Sequence, residues 1–295
     1  MDSTTNIRPS EPMDKKKSLQ ASIDEANIAA NLDDDELNEI GAECKAGFEA
    51  DLQSRSHWEE DLDEWTKLAM QVRETKSTPW SNASNVKYPL LSTAAMQFNA
   101  RAYPSLVPAD GKIVKGKTIG KDPTGEKGTK ADRVATYMSY QFMHEMDGWD
   151  EDMDRLLIML PIVGTVFKKT YWSGGVKSIA SELVLPKNLI VNNWASNLEQ
   201  AERVSEVIEM SQRVFEERKR QGLFLDVDLG TPTNETPNNT SRDAPARIDE
   251  TTPYFLIEQH GYLDLDDDGY KEPYIITFHK TTGKVVRITA RFEPD

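Results

Sequence analysis

The sequence predicts an α+β fold, a helix-rich region followed by a small antiparallel β region. Two observations carry this. In several segments between Asp33 and Phe215 apolar residues recur mostly three and four apart, the period of an amphipathic helix. Between Tyr254 and Ile288 they run in short β-branched and aromatic blocks bounded by turn residues. Size agrees: 295 residues with 38% hydrophobic content suffice for one or two domains with real cores.

Residues 1–30 are polar, with Lys15-Lys16-Lys17 and scattered Ser, Asn and Pro, and are expected to form a disordered arm. From Asp33 to Val72 a helical stripe runs through Leu37, Ile40, Cys44, Phe48, Leu52, Trp58, Leu62, Trp65 and Leu68. Asp33-Asp34-Asp35-Glu36 stands at its first turn, where carboxylates favour the helix dipole. Residues 77–91 form a turn-rich connector with two prolines. A helix follows from Ser92 to Tyr103, with Ala94, Ala95, Phe98 and Ala102 as a small-residue face and Pro104 and Pro108 as its stop.

Residues 109–130 are rich in Gly and Lys and read as a long loop with a strand remnant at Lys112-Ile113-Val114. Helices are expected over Thr129–Asp147 and Trp149–Val163, the second kinked or ended by Pro161. Val166–Trp172 and Ser181–Leu185 alternate as two strands of a hairpin turned by Ser173-Gly174-Gly175, with a further short strand, Leu189-Ile190-Val191, after Pro186. Ser196-Asn197-Leu198-Glu199 has the capping-box pattern and predicts a helix carrying Val204, Val207, Ile208, Val214 and Phe215, stopped by Gly222.

The expected domain plan is therefore an arm (1–30), a helix-rich region with a hairpin (31–228), a polar linker (229–252) and a β-rich subdomain (253–295). The chain ends soon after a strand, so the subdomain reads as truncated at its C-terminus and the chain as a piece of a longer polypeptide.

Charge and cysteine content narrow the function classes. A net charge of −15 argues against a protein that grips nucleic acid over its whole surface, though not against one that lets DNA slide past. Cys44 is the only cysteine, so no internal disulfide can form. The first residues lack a signal pattern, and the longest apolar stretch, Leu156–Val166, falls short of the roughly 20 residues of a membrane span. A cytosolic product with no membrane contact is expected, so the Asn-x-Ser/Thr tripeptides near Asn234, Asn238 and Asn239 carry no glycosylation meaning.

Two glycine motifs carry the alternative, an enzyme reading. Gly111-Lys112-Ile113-Val114-Lys115-Gly116-Lys117-Thr118 fits the P-loop pattern letter for letter. A working P-loop needs a strand before it and a helix directly after it; Pro104 and Pro108 precede this one, and Gly120, Pro123 and Gly125 follow. Asp264-Leu265-Asp266-Asp267-Asp268-Gly269 begins like an EF-hand loop, but Ile275 stands where a bidentate Glu is required. A solvated hairpin turn is the expectation there.

His57, His144, His260 and His279 lack zinc-ligand spacing, and the six tryptophans read as core or interface anchors. Lys168 and Lys169, adjacent on a strand, should face opposite sides, with a surface ion pair favoured over a phosphate contact. No catalytic, cofactor-binding or metal-binding residue is assigned, no cofactor is called for, and no enzymatic activity is expected.

An ordered set of short blocks remains. It comprises Trp80-Ser81-Asn82-Ala83-Ser84-Asn85-Val86 with Pro89-Leu90, and Trp149 with the Leu-rich helix into Pro161-Ile162-Val163-Gly164-Thr165 and Phe167-Lys168-Lys169. Pro186, Trp194-Ala195, Leu198-Glu199-Gln200-Ala201 and Asp266-Asp267-Asp268-Gly269-Tyr270-Lys271-Glu272-Pro273-Tyr274 follow. Over residues 57–292 this order resembles the portal, or head–tail connector, proteins of short-tailed (podovirus-type) bacteriophages, in their N-terminal part.

The resemblance implies a portal wing-like helical region and a structural subunit of a homo-oligomeric ring, typically a dodecamer, at one capsid vertex of the virion, assembled in the host cytoplasm. Such a ring is the channel for viral genome packaging and ejection. It docks the terminase large subunit, the major capsid and scaffold proteins and the tail adaptors, while double-stranded DNA passes through non-specifically. The longer polypeptide would form rings, and this chain alone would be mostly monomeric or associate weakly. The readings from other classes are a nucleotide- or metal-binding phage enzyme, resting on Gly111–Thr118 and Asp264–Gly269, and a generic α+β scaffold.

Overall fold

The computed structural model describes residues 25–72, 77–173, 178–232 and 248–291 except Asp267. It is an α+β protein with helices first and an antiparallel β region after them. The chain divides into two compact units, residues 1–56 with 188–295 and residues 57–187. This cuts across the expected plan, because the first helix and residues 188–228 group with the C-terminal β region. Long-range pairing, invisible to local patterns, sets that grouping.

The first unit is built on a five-stranded antiparallel sheet in the order β3 (Leu189–Val191), β4 (Val204–Met210), β5 (Tyr254–Leu263), β6 (Glu272–His279) and β7 (Val285–Ala290). Successive side chains of a strand point to opposite faces; here Ile257 faces one apolar core and Leu256 the other. Helix α1 (Asp34–Ser54) supplies Cys44 and Phe48 to the first core, together with Ile190, Ile276, Phe278 and Ile288. Helix α6 (Gln212–Arg220) supplies Phe215 to the second, beside Met210, Phe224 and Val286. A bulge pairs Thr277 with Arg287 but Phe278 with Val285, so Val286 is the extra residue. That is why Val285 and Ile288 share a core.

Helix α1 begins with a capping box: the Asp33 carboxylate accepts from the Glu36 amide at 2.8 Å, and the Asp33 amide donates to Glu36 at 3.2 Å. Ahead of it, Ile28–Asn31 form a 3-10 turn with Ile28 and Ala29 buried, so the expected arm yields an ordered, core-packed segment at its end. Buried Asn27 accepts from the Ile288 amide (3.0 Å) and donates to the Val286 carbonyl (3.0 Å), covering the open edge of β7. Residues 1–24 lie outside the described residues.

Helix α1 also approaches the β6–β7 turn closely. A Cβ on Gly41 would lie 2.2 Å from the Gly283 carbonyl oxygen, so only glycine permits this contact. Beneath the other end of α1, fully buried Asp51 accepts from Arg203 Nε and Nη2, both at 3.0 Å, and from Asn192 Nδ2 at 2.8 Å. These bonds hold the Arg203 guanidinium more firmly protonated than usual.

Two expectations for this unit are corrected. Val204–Met210 is a strand between β3 and β5, not a helix. The residues at 196–199 open nothing; instead Ser211 caps the short helix α6, accepting from the Val214 amide. Leu229, placed in the expected linker, is buried in the second core, and residues 233–247 lie outside the described residues.

The second unit holds α2 (Ser56–Ala69, from His57), α3 (Leu90–Leu106), α4 (Glu126–Tyr140), α5 (Trp149–Val163) and the hairpin β1 (Phe167–Ser173) and β2 (Ser178–Val184). Asn99 donates to Asp154 at 2.7 Å and Tyr103 to Asp150, joining α3 to α5. Asp152 accepts from the Leu183 amide at 2.9 Å and joins α5 to β2. Helix α5 and β1 lie where the sequence placed them; β2 overlaps the expected Ser181–Leu185 but begins three residues earlier, at Ser178, where it pairs with Ser173, and turn residues 174–177 are outside the described set. Pro104 does not end α3: in the last turn its missing donor removes one bond, and the helix runs on to Leu106. Past Tyr140 the backbone widens into a π turn at Gln141–Glu145. Lys112–Val114 is not a strand but an unpaired segment.

Candidate functional site

Residues 111–118 follow helix α3 and are separated from α4 by residues 119–125, so neither neighbour of a phosphate-binding loop is in place. The segment lies along α4. The Val114 amide donates to Ser139 Oγ at 3.0 Å, and a Cβ at Gly116 would stand 2.6 Å from the Ala131 carbonyl oxygen. Gly116 is thus explained by close packing on a helix backbone. Amides at the start of α4, where an anion would bind, are taken by this chain: Asp122 accepts from Lys127 (3.3 Å) and Gly128 (2.8 Å). Lys117 is exposed.

The acidic turn between β5 and β6 does gather carboxylates. Oxygens of Asp264, Asp266 and Asp268 lie within 4.8 Å of one another, the one group among the described residues with metal-ligand geometry. Much of their capacity goes to the turn. Asp264 accepts from the amides of Asp268 (3.2 Å) and Gly269 (2.9 Å), and Asp268 accepts from Tyr270 (2.9 Å). Burial, with the charges of Asp266, Asp268 and Asp264, raises the Glu272 carboxyl above its ordinary value. Ile275, at the twelfth position, lies within β6 opposite His260.

The histidines are not brought together. His57 pairs with Asp61 (3.3 Å), His144 stacks near Tyr140, His260 stands 3.6 Å from Glu258, and buried His279 meets Thr282 Oγ1 at 2.9 Å. Of the tryptophans Trp149 is buried, whereas Trp65, Trp80, Trp172 and Trp194 are exposed. Lys168 lies over the Trp149 ring, 5.4 Å from its centre, in place of the expected surface ion pair. Burial lowers its pKa, with Asp152 opposing. Cys44 is sealed in the first core, and burial, reinforced by Glu43, pushes its thiol up to about 12.

What singles out one part of the molecule is its surface. All but four of the large apolar side chains exposed among the described residues belong to the second unit; the four are Trp194, Leu198, Ile248 and Tyr270. They include Trp65 and Leu68 on α2, Met96 and Phe98 on α3, and Val134, Tyr137 and Met138 on α4. Both contiguous apolar cores among the described residues belong to the first unit. A depression lined by Ala94, Gln97, Phe98, Arg101 and Ala102 runs along α3 alone. The sequence shows these helical stripes but not that so much of them stays uncovered.

Compared with known proteins, the chain matches no family model and no curated sequence. No helix among the described residues is long and apolar enough to cross a membrane.

Proposed function

We propose that the chain is a structural subunit of a bacteriophage portal ring, forming part of the channel for DNA packaging and ejection and docking terminase and tail adaptors. The observation that carries this reading is the unequal burial of the two units. The first closes around two apolar cores. The second leaves Trp65, Leu68, Met96, Phe98, Val134 and Tyr137 in the open. Exposed apolar patches of this kind mark surfaces that other proteins cover, and a ring subunit has two neighbours to cover them. The ordered blocks from Trp80 to Tyr274 supply the kind of ring.

The enzyme alternative has the geometry of residues 111–128 against it, because Asp122 fills the anion position of α4. Electron microscopy of the natural full-length polypeptide tests the proposal. Closed rings with a central hole are expected; closed dimers, or ATP turnover lost in Lys117→Ala, would reject it.

A further inference from the structure

The second unit presents two oppositely charged, partly apolar stretches, helix α2 and the strip 112–133, and among the described residues no ion pair joins one to the other. Helix α2 carries Glu59, Glu60, Asp61, Asp63 and Glu64 against the single cation Lys67. Glu60, Glu64 and Leu68 form one exposed row at i, i+4 and i+8, with Trp65 beside it. The strip from Lys112 to Arg133 has the opposite sign: Lys112, Lys115, Lys117, Lys121, Lys127, Lys130 and Arg133 against Asp122, Glu126 and Asp132. Its seven cations are all exposed, and Ile119, Val134 and Tyr137 stand exposed among or next to them.

Neither face answers the other inside one molecule. Among the described residues Asp61 pairs with His57 and Asp63 with Lys187, while no ion pair joins a cation of the strip to α2. A phosphate backbone would satisfy the lysines but has no use for Ile119, Val134 and Tyr137. A protein face of negative charge flanked by exposed apolar residues satisfies both, and α2 is one, its carboxylates at 59–64 followed by Trp65 and Leu68. We infer that α2 of one copy docks head to tail on the basic strip 112–133 of the next. The faces are different surfaces of one subunit, so each copy offers a free α2 at one side and a free strip at the other, the condition for a growing or ring-closing series. This rests on the ring reading and names the contact within it.

Heavy- and light-isotope copies of the chain are mixed at low salt, where surface charge pairs are least screened, and coupled with a zero-length carbodiimide that joins carboxylates to amines in contact. Mass spectrometry should find heavy–light peptides joining Glu60 or Glu64 to Lys115, Lys117 or Lys130. Reversal at α2 (Glu60→Lys with Glu64→Lys) or on the strip (Lys115→Glu with Lys117→Glu) should lower about tenfold or more the heavy–light linkage scored between the groups left in place, Asp61 or Asp63 with Lys121, Lys127 or Lys130, since attractive pairs become repulsive. Both reversals in one chain should restore it. All four positions are exposed, so an unchanged melting temperature checks the fold.

Absent or same-copy linkage, or linkage indifferent to the reversals, overturns the inference. So does salt-sensitive binding of short duplex DNA that the strip reversal alone abolishes, without linkage between copies. Rings that form without this linkage refute the pairing and leave the ring; open head-to-tail chains bearing it keep the pairing and refute the ring.

Discussion

Replacing Arg203 by Met would strand the Asp51 carboxylate, and the structure sets the size of the effect. Asp51 is fully buried, while the Arg203 side chain is 39% exposed. The two changes that break the pair are therefore unequal. Asp51→Asn puts an amide donor where Arg203 or Asn192 also donates, but the half-exposed guanidinium can turn to water. Its cost is that of one or two charge-assisted hydrogen bonds, about 2 kcal/mol. Arg203→Met leaves a buried charge whose one remaining partner named above is Asn192; breaking a buried pair this way costs about 3–5 kcal/mol.

Urea unfolding of wild type and both variants at pH 7 reads these numbers directly. The Arg203→Met deficit should exceed that of Asp51→Asn by about 1–3 kcal/mol. Equal deficits, or a larger one for Asp51→Asn, would refute the account of a stranded buried charge and leave lost packing of the arginine stem as the cause.

Three further outcomes follow from close contacts in the two units. Cys44 should resist thiol reagents at pH 8 until the protein unfolds. Its folded pKa of about 12 lies above the ordinary 9.0, so the unfolded chain loses its proton first and stability measured by urea should fall as pH rises from 9 toward 12. Gly41→Ala drives a methyl group against the Gly283 carbonyl, and unfolding should show a loss of about 1–3 kcal/mol. Gly116→Ala should speed amide exchange at Val114 by pushing the segment off α4, whereas Lys117→Ala should leave that exchange unchanged.

Local chemistry made much of the fold legible. Gly148 and Gly164 bracket α5, and both carry left-handed backbone there. The alternation of β1, β2 and the C-terminal strands is equally plain. Val204, Val207 and Ile208 misled because their spacing of three and one fits a helix, while their β-branched side chains and two long-range partners make a strand. Ser211, seven residues on, is the true helix cap. Asp51 and Arg203 lie 152 residues apart, so no window of sequence joins them.

The candidate surface was half legible. The stripes on α2, α3 and α4 can be read from spacing, but whether a stripe is covered depends on what folds back over it. Only Gly128, Ala131, Ala135 and Ser139 of α4 lie on the face that meets residues 114–116 or is otherwise covered. Gly116, which looked like a phosphate-loop residue, is the means of that cover.

The most direct test of the central claim is electron microscopy of the full-length polypeptide at low salt. The account predicts closed rings with a central channel and one repeating subunit contact. Monomers at every concentration, or a closed two-fold dimer, would contradict it.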